Sequence, residues 1–159
     1  MGNYDQNTVV HKSYGDLNIG KIKIGVVSSE WNSEITDALF SSAFQTLLKA
    51  GIRKENIIIR KVPGSFELTL GSQWLAQKEE IDAVIALGCV IQGETRHFEF
   101  ICQAVSHGVT DVSLKYNKPV IFGLLTPDTH QQALDRAGGK YGNKGEEAAA
   151  TALKMLLER

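Results

Sequence analysis

One stretch, residues 88–98 (Gly-Cys-Val-Ile-Gln-Gly-Glu-Thr-Arg-His-Phe), joins a buried-strand pattern to a helical pattern. The apolar run 83–87 before it predicts a fully buried strand, and residues 98–105 predict the start of a helix. In an open parallel sheet, ligands bind outside the carboxyl ends of the strands. Gly93 would let the backbone approach a ligand closely, and the free N–H groups of the first helical turn suit an anion. With Thr95 as a hydroxyl donor and His97 as a proton carrier, the stretch predicts an anion pocket beside a general acid or base.

Strand and helix patterns alternate four times along the chain. Strands are predicted at residues 21–28, 56–62, 83–87 and 119–125, and helices at 34–50, 66–79, 98–116, 129–137 and 146–159. Asp128 is the expected N-cap of the fourth helix, and the glycine-rich basic segment 138–145 is expected to be a loop. This alternation predicts an α/β fold, a three-layer αβα sandwich in which helices flank a four-stranded parallel sheet.

Right-handed crossovers would place all four strand ends on one rim of that sheet. The rim would gather Trp31, Ser65, Glu67, Thr95 and His97. Trp31 could stack on a ligand ring or seal a loop, and Glu67 could accept hydrogen bonds from a ligand or favour the helix dipole. Arg136 and Lys144 come later in the chain, and surface charge is the default interpretation of both.

The length of 159 residues and the hydrophobic content of 43% suit one domain over residues 1–159, with a polar N-terminal arm at 1–20 and an α/β core at 21–159. The arm is interpreted as a disordered tail or, through Val9 and Val10, as a short edge strand. The net charge of −1 gives no reason to expect nucleic acid, and no apolar run approaches the ~20 residues of a membrane span. With no secretory signal, and with Cys89 and Cys102 in apolar segments, the sequence favours a cytoplasmic protein with buried thiols.

Three motifs occur together and in order: Val-Pro-Gly-Ser-Phe-Glu-Leu at 62–68, the stretch 88–98, and Arg-Ala-Gly-Gly-Lys-Tyr-Gly-Asn-Lys-Gly at 136–145. With them the chain, from about residue 21 to its C-terminus, resembles the lumazine synthase family. The resemblance implies a flavodoxin-like fold and a transferase of riboflavin biosynthesis. Such an enzyme condenses 5-amino-6-(D-ribitylamino)uracil with 3,4-dihydroxy-2-butanone 4-phosphate to give 6,7-dimethyl-8-ribityllumazine, phosphate and water. The resemblance implies neither a metal nor a redox cofactor.

The resemblance also implies which residues would bind the uracil substrate. An aromatic residue stacks on the pyrimidine, a short turn holds the ribityl chain, and a backbone edge pairs with the pyrimidine. The matching residues are Trp31 and Asn32 for the ring, Ser65, Phe66 and Glu67 for the ribityl chain, and Cys89, Val90 and Ile91 for the backbone edge.

A second set of matches concerns the phosphate and proton transfer. Glu94 and Thr95 match the phosphate site, and His97 matches the proton-transfer histidine. The positive end of a helix disfavours the imidazolium form, which suits this histidine to accept protons. The adjoining subunit would supply Phe122 and Arg136, with Arg136 on the phosphate as the second catalytic residue, and Lys144 matches a basic residue near the site.

The chain departs from the family pattern in a few places. Gln92 stands where a basic residue is common, Arg96 where proline is common, and Trp31 where phenylalanine is frequent. The larger ring at Trp31 predicts riboflavin binding by stacking. The alternative to an enzyme is a non-catalytic shell protein that binds flavin or lumazine. That interpretation gives no function to Thr95, His97 and Arg136. A flavodoxin-like electron carrier would need a phosphate loop after the first strand, and residues 28–31 make a poor one.

The resemblance finally implies a homo-oligomer. Family members assemble as pentamers, and some close into icosahedral shells of sixty subunits. The loop 138–145 carries no insertion, which favours the larger shell. Such a shell could enclose riboflavin synthase, and the N-terminal arm could add a strand to the sheet of an adjacent subunit.

Overall fold

The computed structural model describes residues 18–159. Residues 1–17 of the predicted N-terminal arm, including Val9 and Val10, lie outside the described part of the chain. Single-turn 3₁₀ helices form at Ile19–Lys21 and Lys54–Asn56. The strands and α-helices are, in chain order, β1 (Ile24–Ser29), α1 (Ser33–Lys49), β2 (Ile57–Val62), α2 (Leu68–Ala76), β3 (Ala83–Cys89), α3 (His97–Tyr116), β4 (Val120–Leu125), α4 (His130–Arg136), β5 (Ala137–Gly139), β6 (Gly142–Asn143) and α5 (Lys144–Leu157).

The first four strands form one parallel sheet in the order β2-β1-β3-β4. In its register, Ile24 of β1 lies opposite Ile57 of β2 and opposite Ala83 of β3. Every residue of β1 and of β3 is buried, as expected for the central strands of a parallel sheet covered on both faces. The predicted four-stranded parallel sheet is confirmed.

Helices cover both faces of this sheet. On one face, α1 and α5 pack against the strands through side chains such as Leu39 and Leu153. On the other face, α2 and α3 do so through side chains such as Leu75 and Val105. Each of these four helices buries a stripe along one side, for example Ile35, Leu39, Ala43 and Leu47 in α1. The three-layer αβα sandwich is therefore also confirmed.

The start of α4 differs from the prediction. Thr129, not Asp128, is the N-cap, because the Thr129 hydroxyl accepts a hydrogen bond from the Gln132 N–H at 3.2 Å. The Gln132 side chain in turn accepts one from the Asp128 N–H at 2.8 Å. The prediction was wrong because Asp and Thr are both good N-caps, and only the position of the first helical turn distinguishes them.

The segment 138–145 is also not a loop throughout. Strands β5 and β6 pair antiparallel as a small hairpin, and α5 begins at Lys144, earlier than predicted. The Asn143 side chain caps α5 by accepting a hydrogen bond from the Gly145 N–H at 2.8 Å, and it donates one to the Ala38 carbonyl of α1 at 3.2 Å. Because the cap is tied to α1, the start of the C-terminal helix is fixed beside the first helix.

Among residues 18–159, no helix is long and apolar enough to cross a lipid bilayer.

Candidate active site

A pocket of about 330 Å³ lies beyond the carboxyl ends of β1, β2 and β3. Each of these strands ends in a short turn that leads into a helix, so residues distant in sequence meet at one rim of the sheet. The residues lining the pocket are Trp31, Asn32, Ser65, Phe66, Cys89, Val90, Ile91, His97 and Ile101. All except Ile101 belong to the set proposed from the sequence.

Trp31 presents a large aromatic surface at the mouth of this pocket. Its side chain is 66% exposed, so it does not simply seal the loop after β1. Its backbone N–H donates to the Pro63 carbonyl at 3.1 Å. Its ring lies directly against Gly64, where an added Cβ would sit only 2.7 Å from the ring atom Cε3. Only glycine at position 64 therefore lets the tryptophan ring rest in this place.

The turn after β2 is held by Glu67. One carboxylate oxygen of Glu67 accepts a hydrogen bond from the Gly64 N–H at 3.0 Å. Ser65, which this turn carries, is buried, and its hydroxyl donates to the Cys89 carbonyl at 3.4 Å. The Asn32 side-chain amide donates to the same carbonyl at 3.0 Å. The three strand ends are thus joined by hydrogen bonds at the floor of the pocket.

The backbone just after β3 leaves two polar groups available. The Val90 N–H continues the sheet ladder by donating to the Leu125 carbonyl at 2.9 Å, and the Gln92 N–H donates to the Pro127 carbonyl at 3.0 Å. The next bond of the parallel ladder would run from the N–H of residue 127 to the Val90 carbonyl, but residue 127 is a proline and has no N–H. Within residues 18–159, neither the Val90 carbonyl nor the Ile91 N–H has a hydrogen-bond partner. One acceptor and one donor therefore remain unpaired, and they point to opposite sides of the chain because they belong to the same trans peptide.

His97 opens α3 at the edge of the pocket. Its backbone N–H donates to the Thr95 hydroxyl at 3.4 Å, so this threonine lies at the positive end of the helix. Glu94 and Thr95 are exposed beside the pocket rather than lining it. Arg96 binds Glu99 at 3.1 Å in an exposed ion pair, which is weak enough to exchange for another anion.

Three residues proposed from the sequence do not reach this pocket in the same chain. Phe122, 38% exposed on β4, instead lines a separate groove of about 270 Å³ against α3. Arg136 ends α4 beside the β5–β6 hairpin, where its guanidinium lies against Tyr141. Lys144 pairs with Glu147 at 2.9 Å at the start of α5.

Ile101 lines the pocket but is not among the site residues proposed from the sequence. It lies one helical turn after His97, so the two side chains share a face of α3. That spacing was the available signal, but it is the same spacing that marks an ordinary core residue.

The two cysteines lie near each other at this end of the sheet, and both are free thiols. Burial raises the pKa of Cys89 to about 11, and the neighbouring Cys102 adds to the rise. Burial also raises the pKa of Cys102, which is only half-buried. Both groups therefore favour the neutral thiol, which is a poor nucleophile and a poor metal ligand. Over the described residues, no three His, Cys, Asp or Glu side chains cluster closely enough to hold a metal ion.

Comparison with known proteins relates this geometry to a reaction. Residues 21–159 match the sequence profile of a family described as 6,7-dimethyl-8-ribityllumazine synthase. A protein of that name from Cytophaga hutchinsonii is 64% identical over 141 residues, which cover 89% of each chain. Another from Parabacteroides distasonis is 51% identical over 156 residues, covering 98% of this chain and 93% of the relative. A third, from Flavobacterium johnsoniae, is 44% identical over 159 residues, covering all of this chain and 80% of the relative.

Proposed function

This chain belongs to the 6,7-dimethyl-8-ribityllumazine synthase family, and we propose that its active site is completed by a neighbouring copy of the chain. It is a transferase of riboflavin biosynthesis that condenses 5-amino-6-(D-ribitylamino)uracil with 3,4-dihydroxy-2-butanone 4-phosphate. The observation that carries the proposal is the separation of Arg136 from the pocket that holds Trp31 and His97. A dianionic phosphate needs a cation, and among the residues lining this pocket there is no lysine or arginine.

The uracil substrate is bound at the strand ends. Its ring stacks on Trp31, with Asn32 beside it, and pairs with the backbone of Cys89, Val90 and Ile91. The unpaired backbone groups of Val90 and Ile91 support this, because either of them could hydrogen-bond to the edge of a pyrimidinedione. The ribityl hydroxyls are held at the turn that carries Ser65, Phe66 and Glu67.

The phosphate of the second substrate binds at the start of α3, beside Glu94 and Thr95. Arg136 of a neighbouring copy supplies the cation, Phe122 of that copy closes the wall, and Lys144 adds positive charge nearby. The start of α3 supports this phosphate site, because the positive end of the helix dipole favours an anion bound there.

The chemistry then requires positioning and proton transfer. The amine of the uracil attacks the ketone and forms an imine with loss of water. Phosphate leaves by elimination, and ring closure with loss of a second water gives the lumazine. His97 accepts and returns the protons of these steps, and its position at the start of α3 on the edge of the pocket supports this role. Holding both reactants in register supplies much of the remaining acceleration.

The assembly we propose is a pentamer that closes further into a shell of sixty subunits, with riboflavin synthase as a possible guest. The exposed apolar groove around Phe122 supports a subunit contact, because Leu114 beside it is 76% exposed. The free thiols Cys89 and Cys102 support a reducing compartment, and we propose the cytoplasm.

The test mixes two impaired variants. His97→Ala should slow lumazine formation by about 100-fold, and Arg136→Ala should abolish it. When the two variants are unfolded together and reassembled, about a quarter of the sites should pair an intact His97 with an intact Arg136 from the neighbour. Lumazine absorbance and released phosphate measure the recovery.

His107→Ala is the matched control, because His107 is exposed on the same helix and does not line the pocket. It should leave the turnover rate unchanged. No recovery of activity in the mixture, although each variant assembles, would place both residues in the same chain's site and overturn the proposal.

A further inference from the structure

The β5–β6 hairpin places an aromatic ring close to two cations. The Cζ atom of Arg136 lies 4.8 Å from the centroid of the Tyr141 ring, and the Nζ atom of Lys140 lies 5.0 Å from it. Tyr141 is 52% exposed, so the ring is not needed to fill a core. We propose that Tyr141 is a positioning residue that holds the Arg136 guanidinium ready for the substrate phosphate; this inference rests on the proposed role of Arg136.

The backbone fixes the ring relative to the end of α4. The Tyr141 N–H donates to the Asp135 carbonyl at 2.7 Å. Gly139 lies so close to the last turn of α4 that an added Cβ would come within 2.8 Å of the Leu134 carbonyl oxygen. The hairpin is therefore folded back on the helix whose final residue is Arg136, which keeps the ring beside the guanidinium.

The charges around this unit favour an anion. Within residues 18–159, no carboxylate lies within ion-pair distance of Arg136 or Lys140. A carboxylate would neutralise the guanidinium, whereas the face of an aromatic ring attracts it and leaves its charge available. Tyr141 thus orders Arg136 without lowering its affinity for a phosphate dianion.

Ordering matters because the arginine side chain has many rotamers. A freely rotating side chain would lose that freedom when the phosphate binds, and binding would be weaker. A guanidinium that is already held against the ring loses less conformational freedom when the phosphate binds. The ring should therefore improve binding of the phosphate substrate and leave the proton-transfer steps unaffected.

The test is the substitution Tyr141→Leu, which removes the ring face. We expect the KM for 3,4-dihydroxy-2-butanone 4-phosphate to rise about two- to fivefold with kcat unchanged. Inhibition by inorganic phosphate should weaken by the same factor, and the KM for the uracil substrate should not change. Tyr141→Phe keeps the ring face and should restore the original KM. In an Arg136→Lys background, which keeps a cation but lacks the planar fork, Tyr141→Leu should have a smaller effect.

The outcomes separate the two claims. If Arg136→Lys raises the KM for the phosphate substrate while Tyr141→Leu does not, the positioning role is wrong and the proposed function stands. If Arg136→Ala binds inorganic phosphate as tightly as the wild type, the role of Arg136 itself is wrong. Should Tyr141→Leu fail to assemble, Tyr141→Asn, which suits a tight turn but has no ring, must show the same rise in KM; no rise there overturns the inference.

Discussion

At the scale of single residues, Trp31 offers a ligand a larger aromatic surface than the phenylalanine that is frequent at this position in the family. Its exposed ring lies against Gly64 at the mouth of the pocket. We predict that purified protein quenches riboflavin fluorescence on titration, because the flavin ring stacks on this indole. Trp31→Ala should weaken binding about tenfold.

The chain offers a matched control for this titration. Trp74 lies on α2 beneath Arg60, outside the pocket, so Trp74→Phe should leave the quenching unchanged. Quenching that is absent in the wild type, or equal in Trp31→Ala, would show that stacking on Trp31 does not bind flavin.

The Cys89 thiol predicts a pH dependence of stability. Its pKa rises from 9.0 to about 11 in the folded state, so folding favours the neutral thiol. The resulting stabilisation is fully present below pH 9.0 and is lost as the pH rises through about 11. A rise of this size corresponds to about 2 to 3 kcal/mol. Urea unfolding at increasing pH should show the advantage of the wild type over Cys89→Ala shrinking above pH 9; a constant difference would contradict the prediction.

The sequence predicted most of the pocket at this scale for a simple reason. Trp31, Ser65 and His97 each follow a strand by a short turn, and parallel strands bring such turns to one rim. Ile101 was not predicted because its helical spacing also fits a core residue. The roles of these residues in binding and proton transfer stay predictions until the variants are measured.

At the scale of elements, the start of α4 gives a test of the corrected cap. Thr129→Ala removes the hydroxyl that accepts from the Gln132 N–H and should lower the free energy of unfolding by about 1 kcal/mol. Asp128→Ala should have little effect, since Asp128 contributes only its backbone N–H. Thermal or urea unfolding of both variants measures the difference; an equal loss in both would restore Asp128 as the cap.

The central strands β1 and β3 were predictable because each is a short, mostly apolar run, and burial on both faces leaves few other arrangements for such runs. The ends of the helices and strands were harder to predict. The hairpin of β5 and β6 has only short strands, and it depends on the end of α4 and on the Asn143 contact with α1. Tertiary contacts of this kind leave no periodic signal in the sequence.

At the scale of the whole molecule, the proposed assembly predicts a mass. One chain weighs 17.4 kDa, so a pentamer would weigh about 87 kDa and a sixty-subunit shell about 1,000 kDa. We expect the larger value in sedimentation or light scattering at neutral pH. A monomer that is fully active would contradict both assemblies and the shared site.

Assembly was the least predictable level. The exposed Phe122 and the position of Arg136 outside its own chain's pocket support the proposed partner subunit, but the angle between subunits would decide whether pentamers close into a shell. That angle depends on the sum of many weak contacts, and no motif in one chain specifies it.

The distance between Arg136 and its own chain's pocket has a consequence for gene dosage. Under the proposed arrangement every subunit serves two sites, one through His97 and one through Arg136. A copy defective in both residues, produced alongside an equal amount of normal protein, would leave only about a quarter of the sites intact rather than half. Such an allele would therefore be dominant-negative, and a cell carrying it would need more external riboflavin than one that merely lacks a gene copy.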